Sequence, residues 1–381
     1  MPEAAVAQGT AMEITVSKSE LLKELTATQG VVERKMTIPI LSNFLFEAVE
    51  GELTITATDL DLSLRTSCRA DVKREGACTI PARKFYDYVK LLGEGNVGVK
   101  LLENHWVNIR SGRSNTKMVG MARSNFPSLP AFPTSGAVKI PAQTLRTLIA
   151  KTVFAISTEE SRYTLNGALL VLKPESITMV ATDGHRLAHI VKEGIPFEIA
   201  GEMKTLIPRK AMAELLTLLG APELEFVEFA KDESTLFFRL GSRLLTSRQL
   251  TGQFPNYEAV LPKEHNKSIT VRTEDLLAAI QRVAQFADER SGAIKMRFEH
   301  NELRISSSST ETGESEDSIE TAYNAEPLSI GFNSAYLVDF LKATDSDNVY
   351  IEFKDSQSAG QLRPEGIDEY KYRYVVMPMR I

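Results

Sequence analysis

The sequence predicts an α+β protein made of three copies of one module, each with two helices packed on antiparallel sheets. Three observations carry this. The chain has 381 residues, 43% of them hydrophobic, and single hydrophobic cores stop growing near about 250–300 residues. A strand signal recurs at a spacing close to one third of the chain, and two helix signals recur with it in the same order.

Each copy opens on a strand followed by an amphipathic helix: EITVSKSELLKEL from Glu13, VKIPAQTLRTLIAK from Val138 and SITVRTEDLLAAIQRV from Ser268. Ser17, Pro141 and Thr273 stand near the helix starts, and Glu20 follows Ser17 at capping-box spacing. The strand marker is ELTITATD (Glu52 to Asp59), again SITMVATD (Ser176 to Asp183), and again ELRIS (Glu302 to Ser306). From Leu53 to Ile177 is 124 positions and from Ile177 to Leu303 is 126. The second helix is IPARKFYDYVKLLG from Ile80, IPRKAMAELLTLLG from Ile207 and FNSAYLVDFLKAT from Phe332. The period exceeds the roughly 20–50 residues of a solenoid repeat, so each copy should be a domain with its own core.

The expected boundaries are residues 12–135, 136–266 and 267–381, preceded by a disordered extension at 1–11. The joints are SNFPSLPAFPTSG (Ser124 to Gly136) and GQFPNYEAVLPKEHNK (Gly252 to Lys267), rich in turn formers.

Charge is 44 basic against 50 acidic residues, net −6, which disfavours coating nucleic acid by bulk attraction. Domain by domain the balance is +2, 0 and −7, with Glu3 supplying the remaining −1. No apolar run reaches the roughly 18 residues of a membrane span, and MPEAAVAQGTA lacks the features of a signal peptide. These features predict a cytoplasmic protein. Cys68 and Cys78 are too few for a disulfide framework or a zinc site. No phosphate-binding loop is present, and the one close histidine pair, His185 and His189, has no third partner nearby in sequence. No metal and no cofactor is predicted.

Two motifs stand out. ATDGHRLA (Ala181 to Ala188) runs a strand into Asp183-Gly184, a turn-forming dipeptide. A hydrolase would use Asp183 to orient His185, but no nucleophile motif accompanies them, and a serine would have to approach from elsewhere in the fold. The chain end, YVVMPMRI (Tyr374 to Ile381), is apolar almost to its last residue. It is either a final core strand or an apolar wall with Met377 and Met379 as adaptable contacts. SSSSTETGESEDS (Ser306 to Ser318) is polar and acidic and is expected to be a solvated loop.

The triplication, ATDGHRLA and YVVMPMRI together resemble the bacterial sliding clamps, the beta subunits of DNA polymerase III. The resemblance runs from Met12 onward and includes RKMTIPIL (Arg34 to Leu41), IPARKF (Ile80 to Phe85), SGRS (Ser111 to Ser114), RYTLNG (Arg162 to Gly167), FPNY with VLP (Phe254 to Pro262) and IGFN (Ile330 to Asn333). The first eleven residues have no counterpart in it, which leaves Met12 as an alternative start.

The resemblance implies a head-to-tail homodimeric ring, helices inside and strands outside, around duplex DNA, with no catalysis. Enclosure needs a modest basic lining that does not read bases. It implies as partners a clamp loader complex, the polymerase alpha subunit and other proteins with a clamp-binding motif, and no membrane. Their peptides would enter a pocket between domains two and three formed by Leu165, Thr182, Gly184, His185, Arg186, Leu187, Pro255, Val260, Val375, Val376, Met377, Pro378, Met379, Arg380 and Ile381. Lys35, Arg83, Tyr163, Arg209 and Lys210 match DNA-facing positions. Thr164 stands where the family can have a second aromatic. Phe286 is the expected apolar contact at the dimer seam.

Overall fold

The computed structural model describes residues 12–32, 37–263, 266–311 and 313–380. The extension at 1–11, Lys35 and Ile381 lie outside them. The described residues form two compact units. One takes the residues up to Gln143 with Ala213–Gln249; the other takes Thr144–Met212 with the residues from Leu250 on.

In the first unit, helices α1 (Lys18–Thr28) and α2 (Ala82–Leu91) bury one face each, Leu21 and Leu25 in α1 and Phe85 and Val89 in α2. Residues four apart share a helix face. The expected capping box is not formed: the Ser17 side chain makes no cap hydrogen bond to α1 and meets the Ser19 hydroxyl instead, at 2.8 Å. The strand of the ELTITATD motif, Glu52–Thr58, buries Leu53, Ile55 and Ala57. Next to it, Leu62–Arg69 of the first repeat pairs with Arg243–Arg248 of the second, Leu64 opposite Leu245 and Ser63 opposite Thr246. Strands of two repeats thereby form one eight-stranded antiparallel sheet, and a five-stranded sheet accompanies it. Buried Glu24 of α1 receives Arg243 through Nε and Nη2, both at 2.9 Å, and accepts the Thr66 hydroxyl as well. The first linker is anchored by aromatic contacts: Phe126 is buried, and Phe132 lies edge-on to Phe237 and under the Arg239 guanidinium at 3.8 Å.

The second repeat supplies α3 (Ala142–Ala150) and α4 (Arg209–Leu218). Leu145, Leu148 and Ile149 are fully buried in α3, and Met212 and Leu215 in α4.

The second unit repeats the sheet-joining device. Arg186–Glu193 pairs antiparallel with Lys371–Val376, Arg186 opposite Val376, Leu187 opposite Val375 and His189 opposite Arg373. Eight strands again form one sheet, beside a four-stranded sheet. The helices are α5 (Thr273–Ala284) and α6 (Ser334–Ala343). Asn333 caps α6, its Oδ1 accepting the Ala335 N–H at 2.9 Å. At the far end buried Lys151 donates to the Ala343 carbonyl at 2.6 Å and to Asp345 at 2.7 Å. Phe340 of α6 stacks on Tyr374 with centroids 5.1 Å apart.

The run from Ser306 to Ser318 is not a loop: Glu302–Ser309 and Gly313–Glu320 are paired antiparallel strands. Burial alternates along the first, with Leu303, Ile305 and Ser307 inward. The second is a sheet edge.

Candidate functional site

The site grows from the Asp183 turn in the second unit. Thr182 Oγ1 donates to the Arg186 carbonyl at 2.6 Å and accepts the Gly184 N–H at 3.1 Å. Asp183 Oδ1 accepts the N–H groups of His185 and Arg186 at 2.9 and 3.0 Å, and its Oδ2 accepts Arg186 Nε at 3.0 Å. Both oxygens are thus occupied by backbone and guanidinium, so this acid shapes the turn and does not orient the exposed His185 ring. Gly184 has φ +91, and a Cβ there would stand 2.7 Å from Arg162 Nη1, the group that donates to the Asp183 carbonyl at 2.7 Å. Glycine is required both by the backbone angle and by that close approach.

Arg186 locks the turn to the rest of the unit. Beyond Asp183 it donates to Asp339 Oδ2 of α6 and to the Phe154 carbonyl, both at 2.6 Å, and its guanidinium lies 4.4 Å from the centre of the Tyr336 ring. Burial pulls its pKa down, but Tyr374, the hydrogen bond to Asp339 and the Asp183 charge outweigh this and hold it above the ordinary arginine value.

Past the turn lies an apolar floor: Leu169, Val171, Val180, Leu187, Leu206 and Val375 are buried together. Leu250, Phe254, Tyr257, Val260, Leu261 and Ala359 pack on them only partly buried. The chain end forms the rim. The Met377 N–H donates to the His185 carbonyl at 2.9 Å, and the Met379 N–H to the Gly331 carbonyl at 2.8 Å. Met377 is 39% exposed.

Of the residues singled out in the sequence, Thr182, Gly184, His185 and Arg186 make the turn, Leu187, Val260 and Val375 belong to the floor cluster, and Met377, Pro378, Met379 and Arg380 continue from the strand. Val376 is fully buried and alternates to the opposite face from Val375. Leu165 is half-buried in a short turn, Tyr163–Leu165, and Pro255 is exposed beside Phe254, which does pack on the floor. Sequence reasoning missed Phe254, Tyr257 and Leu261. Their signal was apolar residues spaced through a linker otherwise built of Pro, Gly and polar residues.

Residues 12–130 match the DNA polymerase III beta subunit N-terminal domain, 139–256 its central domain and 258–380 its C-terminal domain. The beta sliding clamp of Vibrio cholerae is 33% identical across 97% of this chain and all of its own length. The chain belongs to the DNA polymerase III beta subunit family. Among solved sliding clamps, that of Pseudomonas aeruginosa superposes with a TM-score of 0.91 at 32% identity, and that of Bartonella birtlesii, bound to griselimycin, with 0.90 at 35%; each comparison covers 97% of this chain and all of the other.

Arg83 is exposed in the first turn of α2. Tyr163 is 52% exposed, and Asn166 ties it to α4, since the Asn166 N–H donates to the Tyr163 carbonyl at 3.2 Å and its carbonyl accepts the Arg209 N–H at 2.9 Å. Arg209 is exposed and Lys210 half-buried. Phe286, half-buried beyond the end of α5, lies against Gly313. Burial pushes the thiols of both Cys68 and Cys78 up to about 12, so neither is a ready nucleophile. Among the described residues no group of three or more His, Cys, Asp or Glu side chains is placed to hold a metal, and no helix is long and apolar enough to cross a membrane.

Proposed function

We propose that this chain is a processivity factor without catalytic activity of its own: a homodimeric ring that encloses duplex DNA and tethers partner proteins through the groove of the second unit. The observation that carries the tethering is the junction of two distant segments. The Asp183–Arg186 turn and the chain end share strand pairing and the His185–Met377 hydrogen bond, beside one apolar floor. Partly buried apolar side chains packed on a buried floor, beside a half-exposed methionine, suit a short peptide with apolar anchors. Burying a leucine and a second anchor contributes roughly 3–6 kcal/mol before ordering costs. Micromolar affinity, about −8 kcal/mol, therefore needs main-chain hydrogen bonds too. Such binding exchanges readily, as a platform shared by the polymerase alpha subunit, the clamp loader complex and other partners requires.

Two unlike sheet edges support the homodimer. Ser114–Val119 ends the five-stranded sheet and Gly313–Glu320 ends the four-stranded one. Lys117 lies on the first edge and Arg110 on the strand next to it, while Lys100, one strand further in, is paired with Glu13 at 2.8 Å; Glu314, Glu316 and Glu320 are exposed along the second edge. Pairing the Lys117 edge of one copy with the acidic edge of another is a head-to-tail contact, and Phe286 beside Gly313 adds an apolar contact there. In this reading the three domains are 12–135, 136–266 and 267–381, and Lys35, Arg83, Tyr163, Arg209 and Lys210 approach the DNA. The protein works in the cytoplasm.

The test of the groove is fluorescence anisotropy of a labelled Gln-Leu-Asp-Leu-Phe peptide with the intact chain and with a chain truncated after Val376. The expected result is saturable binding that the truncation abolishes while the circular dichroism spectrum is kept. Equal binding by both chains would remove the tail from the site, and no binding by the intact chain would remove the groove.

A further inference from the structure

The groove floor continues into a cationic cavity. Side chains on one face of a strand recur every second residue, about 7 Å apart. The row next to Leu187 and Val375 on the same face is therefore His189 opposite Arg373. There a cavity of about 550 Å³ is lined by Lys263, Arg363 and Arg373 against Glu258 and Glu352, and it shares Leu261 with the apolar cluster.

Its charges are unevenly matched. Buried Glu352 is held at both oxygens by Arg363, Nε to Oε2 at 2.9 Å and Nη2 to Oε1 at 2.5 Å, and Gln361 donates to it at 2.6 Å. Arg373 donates to neutral acceptors, Gln361 Oε1 at 2.6 Å and the Pro262 carbonyl at 2.7 Å. Among the described residues it has no carboxylate within ion-pair distance. Burial depresses the Arg373 guanidinium, Glu352 offsets part of that, and neighbouring Arg363 adds to it, leaving it below the ordinary arginine value. His189 beside it has a buried Nδ1 without a hydrogen-bond partner. A second carboxylate entering this cavity would meet an under-compensated cation in a partly desolvated place, where charge-assisted hydrogen bonds are strongest.

We infer that the cavity reads an acidic side chain outside the apolar core of the bound peptide: partner peptides carry Asp or Glu about two residues beyond an outermost apolar anchor, and Arg373 is the residue that recognises it. The inference rests on the peptide-groove reading above. It makes partner choice a matter of charge as well as shape, since a peptide with a basic residue at that position would meet repulsion.

The test uses the full chain and end-blocked peptides with a neutral Gln-Leu-Asn-Leu-Phe core. Each is extended at both ends by Gln-Gln, with Glu-Glu replacing the pair at the N-terminal end, at the C-terminal end or at neither. One of the two acidic peptides should bind roughly 3- to 10-fold more tightly than the neutral one at low salt, and the gain should shrink in 0.5 M salt, as expected for a charge contact at a partly exposed site. Arg373→Gln should erase the gain while binding the neutral peptide as the parent chain does; Arg373→Lys should retain much of it. Equal binding of all three peptides by the parent chain would overturn the inference and leave the groove standing, as would a gain that survives Arg373→Gln. Loss of the neutral peptide in Arg373→Gln would mark a damaged groove, and retention of the gain in Arg373→Lys would then decide for charge recognition and its absence against. Failure of every peptide on the parent chain would overturn the groove itself.

Discussion

At the residue scale, the turn at Asp183 has a twin in the first repeat that isolates the role of glycine. Thr58 Oγ1 donates to the Leu62 carbonyl at 3.0 Å, and Asp59 Oδ1 accepts the N–H groups of Asp61 and Leu62. Where Gly184 has φ 91, Leu60 has φ 82 and is 52% exposed. A left-handed leucine is strained, so Leu60→Gly should stabilise the chain by about 1 kcal/mol, whereas Gly184→Ala should cost about 1–2 kcal/mol and weaken peptide binding by displacing Arg162. Denaturant unfolding of the two variants checks both signs. His189 makes a pH prediction. Burial, with Arg373 adding to it, lowers its pKa from 6.5 to about 4. The folded state therefore favours the neutral ring while the unfolded state binds the proton first. That stabilisation is complete above about pH 6.5 and is lost as pH falls toward 4, a change of up to roughly 3 kcal/mol. His189→Phe should flatten the stability curve in that window; an unchanged slope would contradict it. The turn was legible in ATDGHR because its hydrogen bonds are local. Its lock was not: Asp339 is 153 positions from Arg186, and no periodicity links residues so far apart.

At the scale of elements, six helices and the three repeated strands were legible because their apolar residues follow the helix and strand periods. The hairpin from Glu302 to Glu320 was not. Its outer strand, GESEDSIE, has one apolar residue, and a polar edge strand carries no alternation signal to read. Its carboxylates keep an exposed edge from pairing with other strands indiscriminately, and in the proposed dimer they would meet Lys117. Lys117→Glu should therefore raise the dimer dissociation constant by about tenfold or more, and adding Glu316→Lys should recover part of the loss. Analytical ultracentrifugation reads both; a dimer indifferent to Lys117→Glu would argue against these edges as the seam. The second linker shows the same limit. Its Pro and Gly residues marked it as a connection, yet Phe254, Tyr257 and Leu261 pack on the buried apolar cluster of the second unit, a role fixed only when distant strands supply that cluster.

At the scale of the whole molecule, the triplication explains why one chain can have several uses for the same module. In each unit a strand following an Asp turn pairs with a strand of the next repeat. In the second unit the strands and linker gather an apolar floor and a methionine rim. In the first, the corresponding row is Ser63 opposite Thr246, both buried and polar, so the joint holds without offering an apolar seat. The charge map, from +2 in residues 12–135 to −7 in residues 267–381, fits a protein that joins unlike ends of two copies and holds DNA by topology instead of by attraction. The most direct measurement of that claim is retention on DNA. The chain would be loaded with a clamp loader and ATP onto a nicked circular plasmid, separated from free protein by gel filtration in moderate salt, and the plasmid then cut once. A ring that encloses DNA stays with the circle and leaves when it is linearised. Protein that remains equally bound to circle and line would be held by contacts alone, and the enclosure account would be wrong.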